Sequence, residues 1–599
     1  MKKGFALLTL CLGISASYGQ PADVARYAEL ARTYGIVRYF SPNPYAQEWS
    51  DSDWMKVCAL LVHRAETEPL EHVFEPLAPA LSLSEHPASA EDAPTAANEP
   101  AQYWYYSGSG NLHIPFMARV LMPGVADYVP YYKRLSALSE APDSLTGPVA
   151  GRYYAYQVAP GRYAHIRHAL PEKAFDGAAT RRLLADAKQY WSDHRSPDKS
   201  LSKRHSFIFG LLSDQAVRVA DLAVRWNIVR HFYPYYDEEQ LDWESQLERY
   251  LPQALRMERV DTFEAILEWY DLLCRLFNPI RDGHIFVRRD MTLSGLRATY
   301  LPEFHTAAEA LLINDTLLLR RGGEPWRILL TIDNRPAIER LQQIRARTNA
   351  ATEAHRDRLA ADGLFAAPTF GAPFLVRSSD LEGRMREDTL HAHNPEPPRP
   401  AREAGAFRRY GDILYINATS PELNRKGFLA ALTPDTKGLC FDLRGLPSLR
   451  FEEILAHLIS SDVKAPATEV PVNRFPFQRE VAWRIEAETL AAKAPHVALP
   501  ATFLCDAATV SWGETILLMV RHYGLGTIVG QTTAGTTGDM TWFDLPLFPF
   551  SMTGMRMRGM DGEPHHARGV VPDQVVPQYA RDCMTDYDRI LDTALSINQ

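Results

Sequence analysis

The stretch PATFLCDAATVSWGETILLMVRHYG, residues 500–524, places an apolar run of strand length directly before a segment with helical spacing, and Ser511 stands at the junction. Ala501 to Cys505 reads as one buried strand, and Trp512 to His522 reads as a helix with the acid Glu514 in its first turn. A glycine-rich segment, TIVGQTTAGTTGD (527–539), follows close behind, and GDILYINATS (411–420) opens the same region with another apolar run. Strand, helix and strand in this order predict an α/β domain over residues 406–599. A serine at a helix N-terminus meets unpaired N–H groups and the positive end of the helix dipole. Both favour a nucleophile that sheds a proton and an oxygen that becomes an anion during acyl transfer. The same residues also have a purely structural reading, because serine is a common N-cap and Ser511 with Glu514 three residues on matches a capping box.

The chain's 599 residues are 46% hydrophobic and 23% charged, enough for several cored domains, which excludes disorder as the main state. Lys2 and Lys3, an apolar run from Phe5 to Ile14, and small residues at Ser17 and Gly19 read as a secretory signal over 1–19, with cleavage before Gln20. The mature chain is therefore expected to be exported, to the periplasm or the medium. Leu10 before Cys11 is not the small residue that a lipoprotein signal needs. Five cysteines remain after cleavage (Cys58, Cys274, Cys440, Cys505, Cys583), too sparse and odd in number for a disulfide framework. Cys440 and Cys505 fall in predicted core strands and read as small hydrophobes. No CxxC or His-x-x-x-His spacing suggests a metal, and no cofactor is expected. Loss of Lys2 and Lys3 moves the formal net charge from −9 to −11, which argues against a nucleic-acid partner. Beyond the signal no apolar run is long enough to span a bilayer.

Working toward the front, ADLAVRWNIVRHFYPYYDEEQLDWESQL (220–247) echoes AELARTYGIVRYFSPNPYAQEWSDSDWMKV (28–57), and predicts two copies of one helical module at 20–85 and 206–293. The second copy continues into a helix expected to start at Asp261 as N-cap, with Glu264 behind it, and then into RDGHIFV (281–287). The first copy has no counterpart of that ending. Between them, HPASAEDAPTAANEP (86–100) reads as a linker or loop. The aromatic and β-branched runs AQYWYYSG, LHIPFMARVLM, GRYYAYQVA and RYAHIRHAL then predict a small β-rich domain within 86–205. Residues 294–405 hold EALLINDTLLLRRGG and WRILLTIDNRPAIERL, strands followed by a helix, and a proline-rich linker. Asn417 heads a glycosylation sequon but lies in a predicted core strand.

Four ordered blocks, RDGHIFV (281–287), LCFDLRGLPS (439–448), LCDAATVSWGE (504–514) and GEPHHARGVVPD (562–573), give the chain a resemblance to a known superfamily. From about 210 to 595 it resembles the serine peptidases of the C-terminal-processing, tricorn and interphotoreceptor-retinoid-binding group, the tail-specific protease type. The resemblance implies a crotonase-like or Clp-like layered catalytic domain, a degenerate PDZ-like module at 294–405, and a helical bundle before it. It also implies Ser511 as nucleophile. The lysine-using branch carries its base twenty-five residues after the serine, where this chain has Thr536, and no lysine follows Lys493. His522 lies too far along the serine's own helix to reach it, about 16 Å at the helical rise. The histidine-using branch places its base at His284, and an imidazole is poised near neutral pH. The DGH sequence also has a structural reading as a tight Asx-turn.

The resemblance departs from this chain at the group that orients the base. The glutamate expected before GVVPD aligns with His566, and the serine expected before the histidine is Gly283. Glu563, His566, Asp282 and Asp539 stay open as orienting groups. For the oxyanion the resemblance implies the N–H of Trp512 and one N–H from the turn after Asp442-Leu443-Arg444. That donor is Gly445 or Ser448, since Pro447 has none. Arg444 reads as a structural ion-pair residue. The expected activity is hydrolysis of peptide or protein substrates through an acyl-serine. The alternative is a catalytically silent protein on the same scaffold that binds peptides or apolar ligands.

Overall fold

The computed structural model describes residues 21–87, 101–108, 132–137, 148, 152–194, 203–257, 262–293, 296–299, 301–396 and 405–598. The expected signal segment, Cys11, Asp261 and the run LHIPFMARVLM lie outside them.

The C-terminal region is built on a six-stranded sheet in the order Phe407–Tyr410, Ile413–Asn417, Gly438–Asp442, Ala501–Cys505, Thr527–Gly530, Gln574–Val575. The first pair is antiparallel and the other four are parallel. Strands 413–417, 438–442 and 501–505 are buried at every residue. Parallel strands have helices on both faces, so their sequences are continuously apolar rather than alternating. Helices Arg425–Ala431, Phe451–Leu455 and Trp512–Tyr523 cover one face through Phe428, Phe451, Ile516 and Val520. Helix Arg589–Ile597 covers the other through Ile590 and Ala594, against Tyr415, Cys440 and Leu504. Cys440 and Cys505 are buried and free. Asn417 is buried too, its side-chain oxygen accepting from the N–H and hydroxyl of Thr419.

The two similar sequence segments form helices Pro21–Phe40 and Gln215–Phe232, and they pack against one another. Asn227 Nδ2 donates to the carbonyl of Ala31 at 2.7 Å. At Gly35 an added Cβ would sit 1.8 Å from Asn227 Oδ1, so the helices cross where only glycine fits. Each copy repeats one ion pair to the start of its following helix. Arg38 reaches Asp51 of Asp51–Arg64, and Arg230 reaches Glu244 of Glu244–Arg256 at 2.8 Å. The helix before RDGHIFV spans Phe263–Phe277, and its N-cap is Thr262 rather than Asp261, with the Thr262 hydroxyl accepting from Ala265 N–H.

The β-rich segment does not stand as a domain of its own. Gln102–Ser107 pairs with Tyr132–Ala137 and with Thr468–Asn473 from the far end of the chain. Tyr153–Ala159 and Arg162–Arg167 pair with each other and with Ser82–Ser84. One core runs from Tyr34 and Trp54 through Trp104, Ile166 and Trp226 to Phe277 and Phe550. It joins both helical copies, these strands and strand Phe550–Thr553 into one body, across the boundaries expected at 85/86 and 205/206. Residues 308–391 have a separate core around Leu319, Leu341 and Val376. Their five-strand path carries a short sixth strand off one member and helices Ala337–Arg345 and Glu353–Asp362. Among the described residues no helix is long and apolar enough to cross a membrane.

The shared core holds neutral histidines. His168 is buried between the Phe40 carbonyl, 3.1 Å from Nδ1, and the Tyr156 hydroxyl, 2.8 Å from Nε2. Burial pulls its pKa down to about 4 from 6.5. The unfolded chain therefore binds a proton near pH 6.5 that the folded chain refuses until about pH 4. Stability from this residue is complete above pH 6.5 and falls away between those values, by on the order of 3 kcal/mol. Denaturant melts between pH 7 and 4 should show that loss, and His168→Gln should flatten it.

Candidate active site

Strand Ala501–Cys505 ends at Asp506, whose carboxylate accepts from Ala508 N–H and whose own N–H donates to the Thr509 hydroxyl. The turn delivers Ser511 with φ 55° and ψ −116°, a backbone state that side-chain-bearing residues rarely adopt and that costs roughly 1–3 kcal/mol. Such a strained strand-to-helix turn lifts a nucleophile out of the surrounding backbone. The Ser511 hydroxyl caps nothing in helix Trp512–Tyr523. Glu514 does not complete a capping box either. It is fully buried and turned inward, accepting from Gly535 N–H and Thr536 N–H, both at 2.8 Å, and from the Thr533 hydroxyl. The glycine-rich segment is thereby folded over the start of the helix, and Ser511 N–H donates to the Thr536 carbonyl at 2.7 Å.

Thr536 also holds the DGH turn. Its hydroxyl accepts from Gly283 N–H at 2.9 Å, and an added Cβ at Gly283 would lie 3.0 Å from that oxygen. One residue thus bonds to the backbone of Ser511 on one side and to the neighbour of His284 on the other. The position that carries a lysine in the other branch serves here as a strut.

Asp282 is fully buried and accepts from His284 N–H, Thr553 N–H and the Thr553 hydroxyl, each at 2.8 Å. Thr553 Oγ1 lies 3.0 Å from His284 Nδ1. Because the hydroxyl proton goes to Asp282, the threonine oxygen is left to accept Nδ1–H, and this assigns the tautomer whose Nε2 keeps its lone pair. Burial lowers the His284 pKa below the ordinary value, while the charges of Asp282, Glu514 and Asp539 act in the opposite sense. The imidazole is held neutral at pH 7.

The opposite wall comes from the turn after Asp442. The Pro447 ring lies 3.1 Å from the position a Cβ would take on Gly513, which seats this turn on the first turn of the serine's helix. Ser448 N–H is committed to the Ala418 carbonyl at 2.8 Å, whereas Gly445 N–H, at φ 139°, has no hydrogen-bond partner among the described residues. Trp512 N–H likewise has no hydrogen-bond partner among the described residues. Arg444, just before Gly445, is clamped by Asp442 at 2.7 Å and Asp588 at 2.8 Å, the ion-pair role read from the sequence. Behind this wall a cavity of about 650 Å³ lies among strand Ala308–Ile313, Arg358, Arg444, Asp506 and Tyr579.

The remaining expected residues separate. Glu563 is exposed and bonded through its backbone, its carbonyl accepting from Gly559 N–H at 2.8 Å and its N–H donating to the Asp561 carboxylate at 3.0 Å. His566 Nε2 is 2.7 Å from Glu239, and its ring stacks on Tyr235 at 3.7 Å, so it belongs to the helical module. Asp539 is half-buried and acts on His284 through charge. Asp282 reaches the imidazole through Thr553, a residue the sequence reading did not single out. A second missed residue is His355, from helix Glu353–Asp362. Its Nδ1 is 2.7 Å from the Ala507 carbonyl, and its ring is 3.5 Å from the position of an added Cβ on Gly283.

Residues 414–576 match the model of peptidase family S41. That span takes in the parallel strands of the central sheet from Leu414 on, with Gly445, Ser511 and Thr553. This region is similar to the peptidase domain of family S41, which supports a serine-type peptidase. The chain's fold is similar to that of mature CPAF, at 12% sequence identity and a TM-score of 0.50 over 65% of this chain and 97% of that one. The photosystem II D1 C-terminal processing protease matches at 15% identity and a TM-score of 0.34, over 59% of this chain and 92% of that one. The tricorn protease matches at 14% and 0.34, over 66% and 37%. No curated protein sequence matches. His284 lies outside the S41-matched span, in the helical body whose core also takes in Phe550 and Met552 from within it.

Proposed function

We propose that this chain is an exported serine peptidase that hydrolyses peptide bonds through an acyl-serine on Ser511, with His284 as general base. The observation that carries the reading is the double use of Thr536, which ties Ser511 N–H and Gly283 N–H to one residue. With a substrate carbonyl over Ser511, His284 Nε2 takes the hydroxyl proton as Oγ attacks the carbon. Trp512 N–H and Gly445 N–H stabilise the oxyanion, and no side chain has to move to supply them. His284 then gives the proton to the leaving amine, and a water repeats the sequence on the ester. Thr553 and Asp282 do the work of the absent glutamate by fixing the tautomer and stabilising the imidazolium. We read residues 294–405 as a PDZ-like module and linker, a reading supported by the strands and helices with their own core at 308–391. The silent-binder alternative has no use for a strained serine whose hydroxyl caps nothing.

Digestion of an unfolded protein such as reduced, alkylated casein tests the reading. Cleavage abolished by a fluorophosphonate is expected, and casein left intact by folded protein would count against it. Thr553→Val should lower kcat about 10²-fold with KM little changed, and Thr553→Ser should restore most of the loss. Since His284 must be neutral to act and its pKa is depressed, kcat/KM should stay on its plateau at pH 6.5 and fall only below it.

A further inference from the structure

The strand that carries Thr553 belongs to a three-stranded sheet whose two faces differ in an unexpected way. Strand Phe550–Thr553 pairs with Met540–Phe543 on one side and Phe286–Val287 on the other. Opposed residues in a sheet share a face, and the face alternates along each strand. One face holds Val287, Phe543, Phe550 and Met552, all buried in the core of the helical body. The other holds Ser551 and Thr553, which bond to His284, and beside them Phe286, Trp542 and Met540. His284 lies in the turn just before strand Phe286–Val287, and its Nδ1, 3.0 Å from Thr553 Oγ1, brings the imidazole to the same face. This second face is where solvent would favour polar residues. Instead Phe286 is 59% exposed and Met540 is 38% exposed. The Phe286 and Trp542 rings meet edge-on with centroids 6.5 Å apart, and the Arg288 guanidinium sits 5.6 Å from the Trp542 ring. An exposed apolar shelf next to a catalytic base marks a contact surface for ligand.

Chemistry decides which part of a substrate meets it. The base that takes the serine proton must hand it to the leaving nitrogen, so His284 faces the leaving-group side of the scissile bond. Resting on the acyl-serine reading above, we propose that Phe286, Trp542 and Met540 bind an aromatic or large aliphatic side chain on the leaving-group side of the cleaved bond. The shelf thereby selects which bond is cut.

Partitioning of an acyl-enzyme isolates that side. The protein is acylated with p-nitrophenyl acetate, and free amines compete with water for the acetyl group. The amine nitrogen forms the new C–N bond as the ester C–Oγ bond breaks, one amine proton passes to His284, and His284 returns a proton to Ser511 Oγ. The ratio of N-acetyl amide to acetate is read for phenylalaninamide, leucinamide, glycinamide and glutamate α-amide. Phenylalaninamide and leucinamide should exceed glycinamide and glutamate α-amide about tenfold. Phe286→Ser and Trp542→Ser should each bring the ratios to within about twofold of one another, and the exposure of Phe286 makes the first a substitution the fold tolerates. Equal ratios in an enzyme that releases p-nitrophenol and acetate would overturn the shelf and leave the acyl-serine reading standing. No p-nitrophenol burst from folded protein would overturn the reading beneath it, and the shelf with it.

Discussion

Ser511→Ala is expected to reduce peptide hydrolysis by a factor on the order of 10⁵ to 10⁶ while leaving the fold and its thermal midpoint nearly unchanged. The loss is large because serine, base and oxyanion donors act as a unit, and removal of the nucleophile forfeits all of their gain over water except binding. The fold is spared because the Ser511 hydroxyl caps no helix, and the contacts that hold the turn are backbone ones that alanine keeps. Ser511→Gly sharpens the test. Glycine accepts φ 55° without the steric cost that serine and alanine carry, and pays for it with a more flexible unfolded chain. The net expectation is an inactive protein more stable than wild type by about 1 kcal/mol, read from urea melts. Equal stability of the serine and glycine forms would remove the strained-turn argument.

His284→Ala is expected to lower kcat by a factor on the order of 10⁵, with KM affected far less. The base acts on bond making rather than on holding the substrate. Asp282 keeps its bonds from the Thr553 N–H and hydroxyl in the variant, so the buried carboxylate is not orphaned and the turn should persist. Kinetics on a peptide cleaved by wild type, with circular dichroism as the folding control, decide the matter. A variant within tenfold of wild type would mean that another group takes the proton, and His355, beside both Gly283 and Ala507, would be the first to replace.

Legibility in the sequence follows the range of the interactions. Strand 501–505 and the helix after Ser511 could be read directly, because continuous apolarity and helical spacing are local consequences of a sheet buried on both faces. The repeated Arg38 and Arg230 made two helical copies visible for the same reason. The packing of those copies could not be read, since it turns on Gly35 meeting Asn227 across the crossing. The small β-domain failed because a strand pattern announces a strand and not its partner, and Gln102–Ser107 finds part of its ladder at Thr468–Asn473. Thr553 was missed because threonine is ordinary in a strand. Its signal was subtler: Ser551 and Thr553 repeat at a spacing of two in an otherwise apolar run, the mark of a polar stripe turned toward something other than the core. The inward turn of Glu514 overrode a capping-box pattern that was sound by local rules, because the glycine-rich segment supplies three donors that solvent would otherwise satisfy.

The central claim is that a single activated serine is served by a histidine brought to it through Thr536. Mass spectrometry of the folded protein after reaction with a fluorophosphonate measures it most directly, with the adduct located by peptide mapping. The account predicts one adduct, on Ser511, absent in Ser511→Ala and slowed by orders of magnitude in His284→Ala. An adduct on another residue that survives Ser511→Ala, or labelling of Ser511 at an undiminished rate without His284, would contradict it.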